Sequence, residues 1–190
     1  MPNCMSLVSK ISTIINLSPE GAEWLSKNSK EFSFEKNETV ISAGKTCNYL
    51  YYIDTGTLYS YYIEEDKEVC SWMALQGDFA TAYYSFIARK PSYETIVCAE
   101  KSSVQGISYE KMNEMYQLFP ESERAGRLIL EEYYSRLEEH AIEMRSKSAK
   151  ERYQMLFKRR PEIIRQLPLG RIASYLGMSQ ETLSRIRAEK

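Results

Sequence analysis

The stretch PLGRIASYLGMSQETLSRIR, residues 168–187, decides the fold of the C-terminal part of this chain. Pro168 suits the first position of a helix, where its missing N–H costs nothing, and Gly177 suits the left-handed residue just beyond a helix end. Ser179 then offers the hydroxyl oxygen of an N-cap, and Glu181 places a carboxylate near the positive end of the helix dipole. The stretch therefore predicts two short helices joined by a tight turn.

Apolar residues recur in both predicted helices at spacings of three or four, which puts each pair on one face. These pairs are Ile172 with Leu176 and Leu183 with Ile186. The small side chain of Ala173 lets the two faces approach closely. The pattern predicts a helix-turn-helix, although ordinary packing of a short helical pair remains an alternative.

The second helix leaves polar side chains exposed, and they are of the types that contact base edges and phosphates in a major groove. These candidate DNA-binding residues are Ser179, Gln180, Glu181, Ser184, Arg185 and Arg187. Arg185 can give a bidentate contact to guanine, and Glu181 can accept from a cytosine amine and orient Arg185. Glu181 could instead serve only as a helix-start carboxylate.

Charge is distributed unevenly along the chain, although the net charge is only −1. Residues 145–190 contain 12 Lys and Arg against 4 Glu, whereas residues 1–144 contain 13 basic and 22 acidic groups. A basic segment that also carries a helix-turn-helix pattern has the electrostatic character of a phosphate-binding module. The charge pattern therefore favours DNA as a partner of the C-terminal segment.

Cysteine and histidine are too sparse for a metal centre. Cys4, Cys47, Cys70 and Cys98 are widely separated, and His140 is the only histidine. We therefore expect reduced thiols, no metal site, no Fe–S cluster and no cofactor. An enzyme built on a cupin-like body is also not expected, because its metal site needs several histidines.

No apolar run approaches the roughly 18 residues of a membrane span, and residues 1–10 lack the hydrophobic stretch of a signal peptide. We therefore expect a cytoplasmic protein without a membrane partner. Its length of 190 residues suits one or two domains.

The middle of the chain has the character of a small all-β body. From residue 32 onward, short β-branched and aromatic runs are broken by turn residues every 8 to 12 positions, and the chain contains 15 Tyr. Residues 11–28, before this body, are expected to be helical and amphipathic, with a helix that starts at Ser18-Pro19-Glu20. A helical segment at residues 81–88 and strands at residues 94–99 and 103–108 follow the Gly77-Asp78 corner.

A long helix is predicted for residues 121–145. One narrow apolar stripe runs along it with alternating steps of four and three, which is the a/d pattern of a helix that pairs with another helix. The stripe consists of Leu130, Tyr134, Leu137, Ala141 and Met144. It favours a parallel homodimer, and the alternative is packing of this helix on its own β body.

These elements together predict an α+β fold with three parts. Residues 1–118 are expected to form a β-roll domain, residues 119–145 a dimerisation helix, and residues 146–190 a DNA-binding domain. A polar hinge is expected at residues 146–150, followed by a helix over residues 152–167 that Pro161 interrupts or restarts.

In this order of elements the chain resembles the Crp/Fnr family of transcription regulators. The resemblance rests on IASYLGMSQETLSRIR, on the TGTLYSYY run after Asp54, and on the Gly77-Asp78-Phe79 corner. It implies a homodimer on a two-fold symmetric DNA operator, with RNA polymerase and a small-molecule effector as further partners. Only residues 167–169 separate the preceding helix from the helix-turn-helix motif. The family's β-hairpin wing is therefore expected to be missing or reduced.

The resemblance also implies where an effector would bind. The corresponding pocket residues are Gly77, Asp78, Phe79, Arg89, Tyr93 and Glu94. In cyclic-AMP-binding members a Glu holds the ribose and an Arg-Ser pair holds the phosphate; here Asp78 replaces the Glu, and Tyr93 and Glu94 replace the pair. Cyclic AMP is therefore not the expected ligand, because Glu94 would repel a phosphate. An apolar or acidic effector, or DNA binding without an effector, remains open.

The sequence therefore predicts a sequence-specific DNA-binding regulator and not an enzyme. The alternative is a ligand-sensing β-roll module that regulates a partner protein. Such a module has no need for the basic C-terminal segment, which favours the regulator.

Overall fold

The computed structural model of the chain describes residues 6–189. It begins with helices α1 (Leu7–Ile14) and α2 (Pro19–Asn28). Ser6 and Ser18 cap these helices through hydroxyl oxygens that accept from backbone N–H groups. The start of α2 at Ser18 and Pro19 is the one that the sequence predicts.

Eight strands form a β-roll, with one short helix among them. They are β1 (Lys30–Phe34), β2 (Thr39–Ile41), β3 (Tyr49–Thr55), β4 (Thr57–Glu64), β5 (Lys67–Leu75) and β6 (Phe79–Ala80), then helix α3 (Tyr83–Ala88), then β7 (Thr95–Cys98) and β8 (Ser102–Ser108). They pair into two four-stranded antiparallel sheets, in the orders β1-β8-β3-β6 and β2-β7-β4-β5. This confirms the predicted β body.

The two sheets enclose an apolar core that includes Ile53, Leu58, Ile96 and Val104. The chain crosses from one sheet to the other at Gly56, between β3 and β4, where φ is +101°. A Cβ at this position would lie 2.8 Å from the Cα of Ser102, so only glycine fits the crossing.

Two further helices follow the β-roll, α4 (Tyr109–Leu118) and α5 (Glu121–Ser146). The first turns of α5 are buried through Ser122 and Ala125 against a cluster that also contains residues of α1, α2 and α4. Beyond Leu130 the helix is exposed for more than two turns. At 26 residues it is about 39 Å long, as the sequence predicts.

The C-terminal part is entirely helical, with α6 (Ala149–Arg159), α7 (Pro161–Gln166), α8 (Leu169–Tyr175) and α9 (Gln180–Ala188). Only Lys147 and Ser148 separate α5 from α6, so the expected five-residue hinge is shorter. Ser148 and Glu151 form a capping box, which starts α6 before the expected Arg152. Within residues 6–189 no strand follows Ser108.

The C-terminal helices pack directly on the β-roll. Helix α8 lies against β5, and one apolar cluster joins Tyr59 and Cys70 of the roll to Ile172 and Leu176. At the same boundary the backbone N–H of Cys70 donates to Ser174 Oγ over 2.9 Å. The two parts therefore share a continuous core.

Candidate nucleic-acid interface and effector cleft

The turn between α8 and α9 has the geometry that its sequence predicts. Gly177 is left-handed, with φ of +61°, and Ser179 Oγ accepts the backbone N–H of Thr182 over 3.1 Å. Pro168 differs from the expectation by one position, because it precedes α8 as its extended N-cap with ψ of 141°. Its ring therefore ends the preceding loop and does not belong to the first turn.

The inner faces of α8 and α9 are buried against each other and against α6. Ile172, Leu176 and Leu183 are almost fully buried, and Ala173 is 1% exposed where the helices meet the β-roll. Ile186 is partly buried beside the same cluster. The small Ala173 thus belongs to the apolar cluster that joins the helix-turn-helix to the roll.

The outer face of α9 is exposed. All six candidate residues, Ser179, Gln180, Glu181, Ser184, Arg185 and Arg187, are exposed. Hydrogen bonds from the backbone N–H of Glu181 and from Ser179 lower the pKa of the Glu181 carboxyl, which is the expected effect of a helix start. The guanidinium of Arg185 lies 3.4 Å from Thr182 Oγ1.

Several C-terminal arginines form contacts within the chain. Arg152 donates to the carbonyl oxygen of Leu176 over 2.8 Å, and Arg159 pairs with Glu143. Arg171 pairs with Glu68 of β5 and lies over the Tyr59 ring at 5.0 Å. The positive charge available to DNA is therefore smaller than the composition indicates.

The apolar stripe of α5 is open along its middle. Leu130, Tyr134 and Leu137 are 40%, 62% and 52% exposed. Ala141 and Met144 are partly buried, and the Met144 side chain reaches the backbone of Gly177 at the turn. The stripe therefore meets the helix-turn-helix at its C-terminal end and leaves its centre uncovered.

A cleft of about 1120 Å³ lies between the β-roll and α5. Of the six predicted pocket residues, Gly77, Asp78, Phe79 and Glu94 line it, whereas Arg89 and Tyr93 do not.

Both residues outside the cleft have other contacts. The Arg89 backbone is left-handed, with φ of +54°, and its guanidinium donates to the carbonyl oxygen of Cys47 over 2.7 Å. Tyr93 is 72% exposed and stacks on Tyr84 at 5.1 Å. Neither side chain is placed to clamp a ligand in the cleft.

Both acidic residues of the predicted pocket have several partners. Glu94 Oε2 accepts from Ser60, from Ser71 Oγ at 3.0 Å and from Trp72 Nε1 at 2.9 Å. Sequence reasoning misses these three partners because β4 and β5 present them from positions 22 to 34 residues away.

Asp78 joins the β-roll to the helices. Its Oδ2 accepts from the backbone N–H of Leu75 over 2.8 Å and from Arg160 at the end of α6. Its Oδ1 lies 3.6 Å from Arg136 of α5. The corner residue of the β-roll therefore contacts two helical elements at once.

The cysteines that the structure describes offer no exposed thiol. Cys47, Cys70 and Cys98 are buried and free, and burial raises the pKa of Cys70 to about 12 and that of Cys98 to about 11; Cys4 lies outside the described residues. Among residues 6–189, no group of His, Cys, Asp and Glu could hold a metal ion. In that same range no helix is both long and apolar enough to cross a membrane.

Comparison with known proteins identifies the fold. Residues 31–118 match the cyclic nucleotide-binding domain family. The chain is similar to FixK2 from Bradyrhizobium japonicum, with a TM-score of 0.72 and 20% identity over 85% of this chain and 83% of that one. It is also similar to a crp/fnr-family transcriptional regulator described from Eubacterium rectale, with a TM-score of 0.70 and 17% identity over 92% and 83%. For the c-di-GMP-responsive regulator CLP of Xanthomonas campestris the TM-score is 0.68, with 18% identity over 90% and 91%.

The architecture is thus a cyclic-nucleotide-binding-type β-roll followed by a helix-turn-helix. The fold is that of the Crp/Fnr transcription regulators, which confirms the resemblance seen in the sequence. No curated protein sequence matches the chain.

Proposed function

We propose that this chain is a sequence-specific DNA-binding transcription regulator that acts as a homodimer. The observation that carries the proposal is the capped helix α9, whose outer face exposes Gln180, Glu181, Ser184 and Arg185 within the basic C-terminal segment. Exposed polar side chains at the start of the second helix are what major-groove recognition uses.

Base recognition is assigned to the first two turns of α9. Arg185 has a planar fork that can donate to both O6 and N7 of one guanine. Gln180 and Ser184 lie on the same exposed face and supply donors and acceptors for neighbouring bases. Ser179 and Arg187 are assigned to phosphates at the two ends of the helix.

Dimerisation is assigned to α5, because its exposed Leu130, Tyr134 and Leu137 form one stripe. A second copy that packs along this stripe would bury these apolar side chains. On this basis residues 1–118 are the sensor, 119–145 the dimer helix and 146–190 the DNA-binding part. RNA polymerase and a small-molecule effector are proposed as further partners.

Selection of bound duplexes from random DNA tests the proposal. We expect enrichment of a two-fold symmetric sequence with half-sites about one helical turn, or 34 Å, apart. The matched control is an Arg185→Ala protein, which should enrich a less defined sequence. Absence of any enriched duplex would contradict DNA recognition and favour a sensor module that acts on another protein.

A further inference from the structure

Glu94 is the one carboxylate of the predicted pocket that has no cationic partner. Its hydrogen bonds come from neutral groups only: the hydroxyls of Ser60 and Ser71 and the indole N–H of Trp72, all at Oε2. Within residues 6–189 no lysine or arginine forms an ion pair with it. The other oxygen, Oε1, accepts no hydrogen bond from these residues, and the side chain lines the cleft.

The arginines that line the same cleft all have partners of their own. Arg127 pairs with Glu131, Arg136 with Glu132, and Arg159 with Glu143. Arg160 pairs with Asp78, and Arg152 donates to backbone carbonyl oxygens. Lys10 of α1 also lines the cleft, and it forms no ion pair with Glu94. No cationic side chain of the cleft therefore pairs with Glu94.

A partly buried charge normally has an opposite charge beside it, because desolvation is costly without one. The missing partner can come from a ligand. An acidic effector would meet like-charge repulsion at Glu94, whereas an ammonium group would find a free carboxylate oxygen. The sequence leaves an apolar or an acidic effector open, and the structure disfavours the acidic one.

Aromatic rings surround this end of the cleft. Trp72, Tyr83 and Tyr133 line it, and the rings of Tyr83 and Tyr133 stack with centroids 5.6 Å apart. Burial raises the pKa of Tyr133, and the charge of Glu94 raises it further, so this ring lies within electrostatic reach of the carboxylate. Ring faces attract cations, so these side chains and Glu94 favour the same kind of ligand.

We propose that the cleft binds an aromatic or similarly apolar small molecule that carries a primary ammonium group, with Glu94 as its counter-ion. This assigns the ligand class of the effector cleft and rests on the regulator function proposed above. The apolar part of the ligand would lie against Phe79, which lines the cleft between the roll and α5. The ammonium would donate to Glu94 Oε1.

Three probes share a 4-hydroxyphenyl ring with a short side chain and differ chiefly in charge. Tyramine is cationic, 4-ethylphenol is neutral and 4-hydroxyphenylacetate is anionic. Isothermal titration calorimetry of each with the full chain, without DNA, should show the order tyramine, 4-ethylphenol, 4-hydroxyphenylacetate. We expect the cation to bind about tenfold or more tightly than the neutral probe, as for unit charges in a partly dry cleft.

A pair of variants tests the assignment to Glu94. Glu94→Gln keeps an acceptor for Ser60, Ser71 and Trp72 and should remove the preference for tyramine over 4-ethylphenol. Glu123→Gln is the control, since Glu123 lines the cleft about 15 Å along α5 from Tyr133 and should leave the preference unchanged.

Equal or tighter binding of the anion would overturn the proposal. So would an unchanged preference in Glu94→Gln, or the absence of saturable tyramine binding at millimolar concentration. Because the titration contains no DNA, each of these results leaves the DNA-binding proposal to its own test. Conversely, a protein that binds tyramine but no DNA would overturn the regulator function alone.

Discussion

Asp78 and Arg160 join the β-roll to the C-terminal helices, and their removal should loosen that contact. Asp78 lies at the corner between β5 and β6, and Arg160 follows the last residue of α6. The two side chains are only 16% and 28% exposed. Asp78 also accepts from the Leu75 N–H, which fixes the carboxylate in place.

The expected size of this interaction follows from its burial. A hydrogen bond to a charged group in a partly buried position contributes about 1.5–3 kcal/mol to the free energy of unfolding. The pair Arg127 and Glu131 on α5 is the natural comparison, because both side chains are more than half exposed. A pair of that kind, four residues apart on one helix, contributes about 0.3–0.5 kcal/mol.

A double-mutant cycle measures the two interactions in the same protein. Asp78→Asn keeps an oxygen for the Leu75 N–H, Arg160→Gln removes the cation, and urea unfolding of both single variants and the double variant gives the coupling energy. The Arg127 and Glu131 pair, treated in the same way, is the control. A coupling for Asp78 and Arg160 no larger than that of the control would refute the reasoning.

Three other outcomes are expected. Leu137→Glu should give monomers in sedimentation because like charges would face each other across the dimer, whereas Ser135→Glu, which adds the same charge on another face of α5, should not; a monomeric wild type at micromolar concentration would contradict the dimer. The His140 ring stacks on Tyr175 with centroids 4.3 Å apart. Burial lowers the pKa of His140; the charge of Glu143 raises this pKa, and the charge of Arg152 lowers it. The neutral ring is thus favoured in the folded state, so the free energy of unfolding should fall as pH drops below 6.5, its ordinary pKa, and His140→Gln should remove that part of the pH dependence in urea titrations. Ser179→Ala should cost about 1 kcal/mol of stability through the lost N-cap, measurable by thermal unfolding, and an unchanged midpoint would refute the cap's role.

The sequence predicts the helix-turn-helix well because its determinants are local. The left-handed Gly177 and the Ser179 cap depend on residues within one helical turn, and the structure has both. The hinge is predicted less well, since the capping box of Ser148 and Glu151 extends α6 toward α5. Polar composition alone does not distinguish a flexible linker from a capped helix start.

The side chains that connect the two parts of the molecule could not be predicted. Arg160 and Asp78 are 82 residues apart, and periodicity reveals which face of an element is buried but not which distant partner it meets. The basic composition also overestimates the positive charge that faces DNA. Arg171, for example, pairs with Glu68 and lies over the Tyr59 ring. The uncompensated carboxylate of Glu94 also becomes visible only when the strands are brought together.

Fluorescence anisotropy of the protein on its selected operator, and on every single-base variant of it, tests the central claim most directly. We expect Arg185→Ala to lose about 1–3 kcal/mol of binding free energy at one base position in each half-site, at two symmetry-related places. Lys158→Ala, an exposed change on α6, should instead weaken all sequences alike and lower the salt slope by roughly one unit. A wild-type protein that binds every duplex equally, or an Arg185→Ala protein that loses affinity equally for all of them, would contradict base recognition by this face of α9.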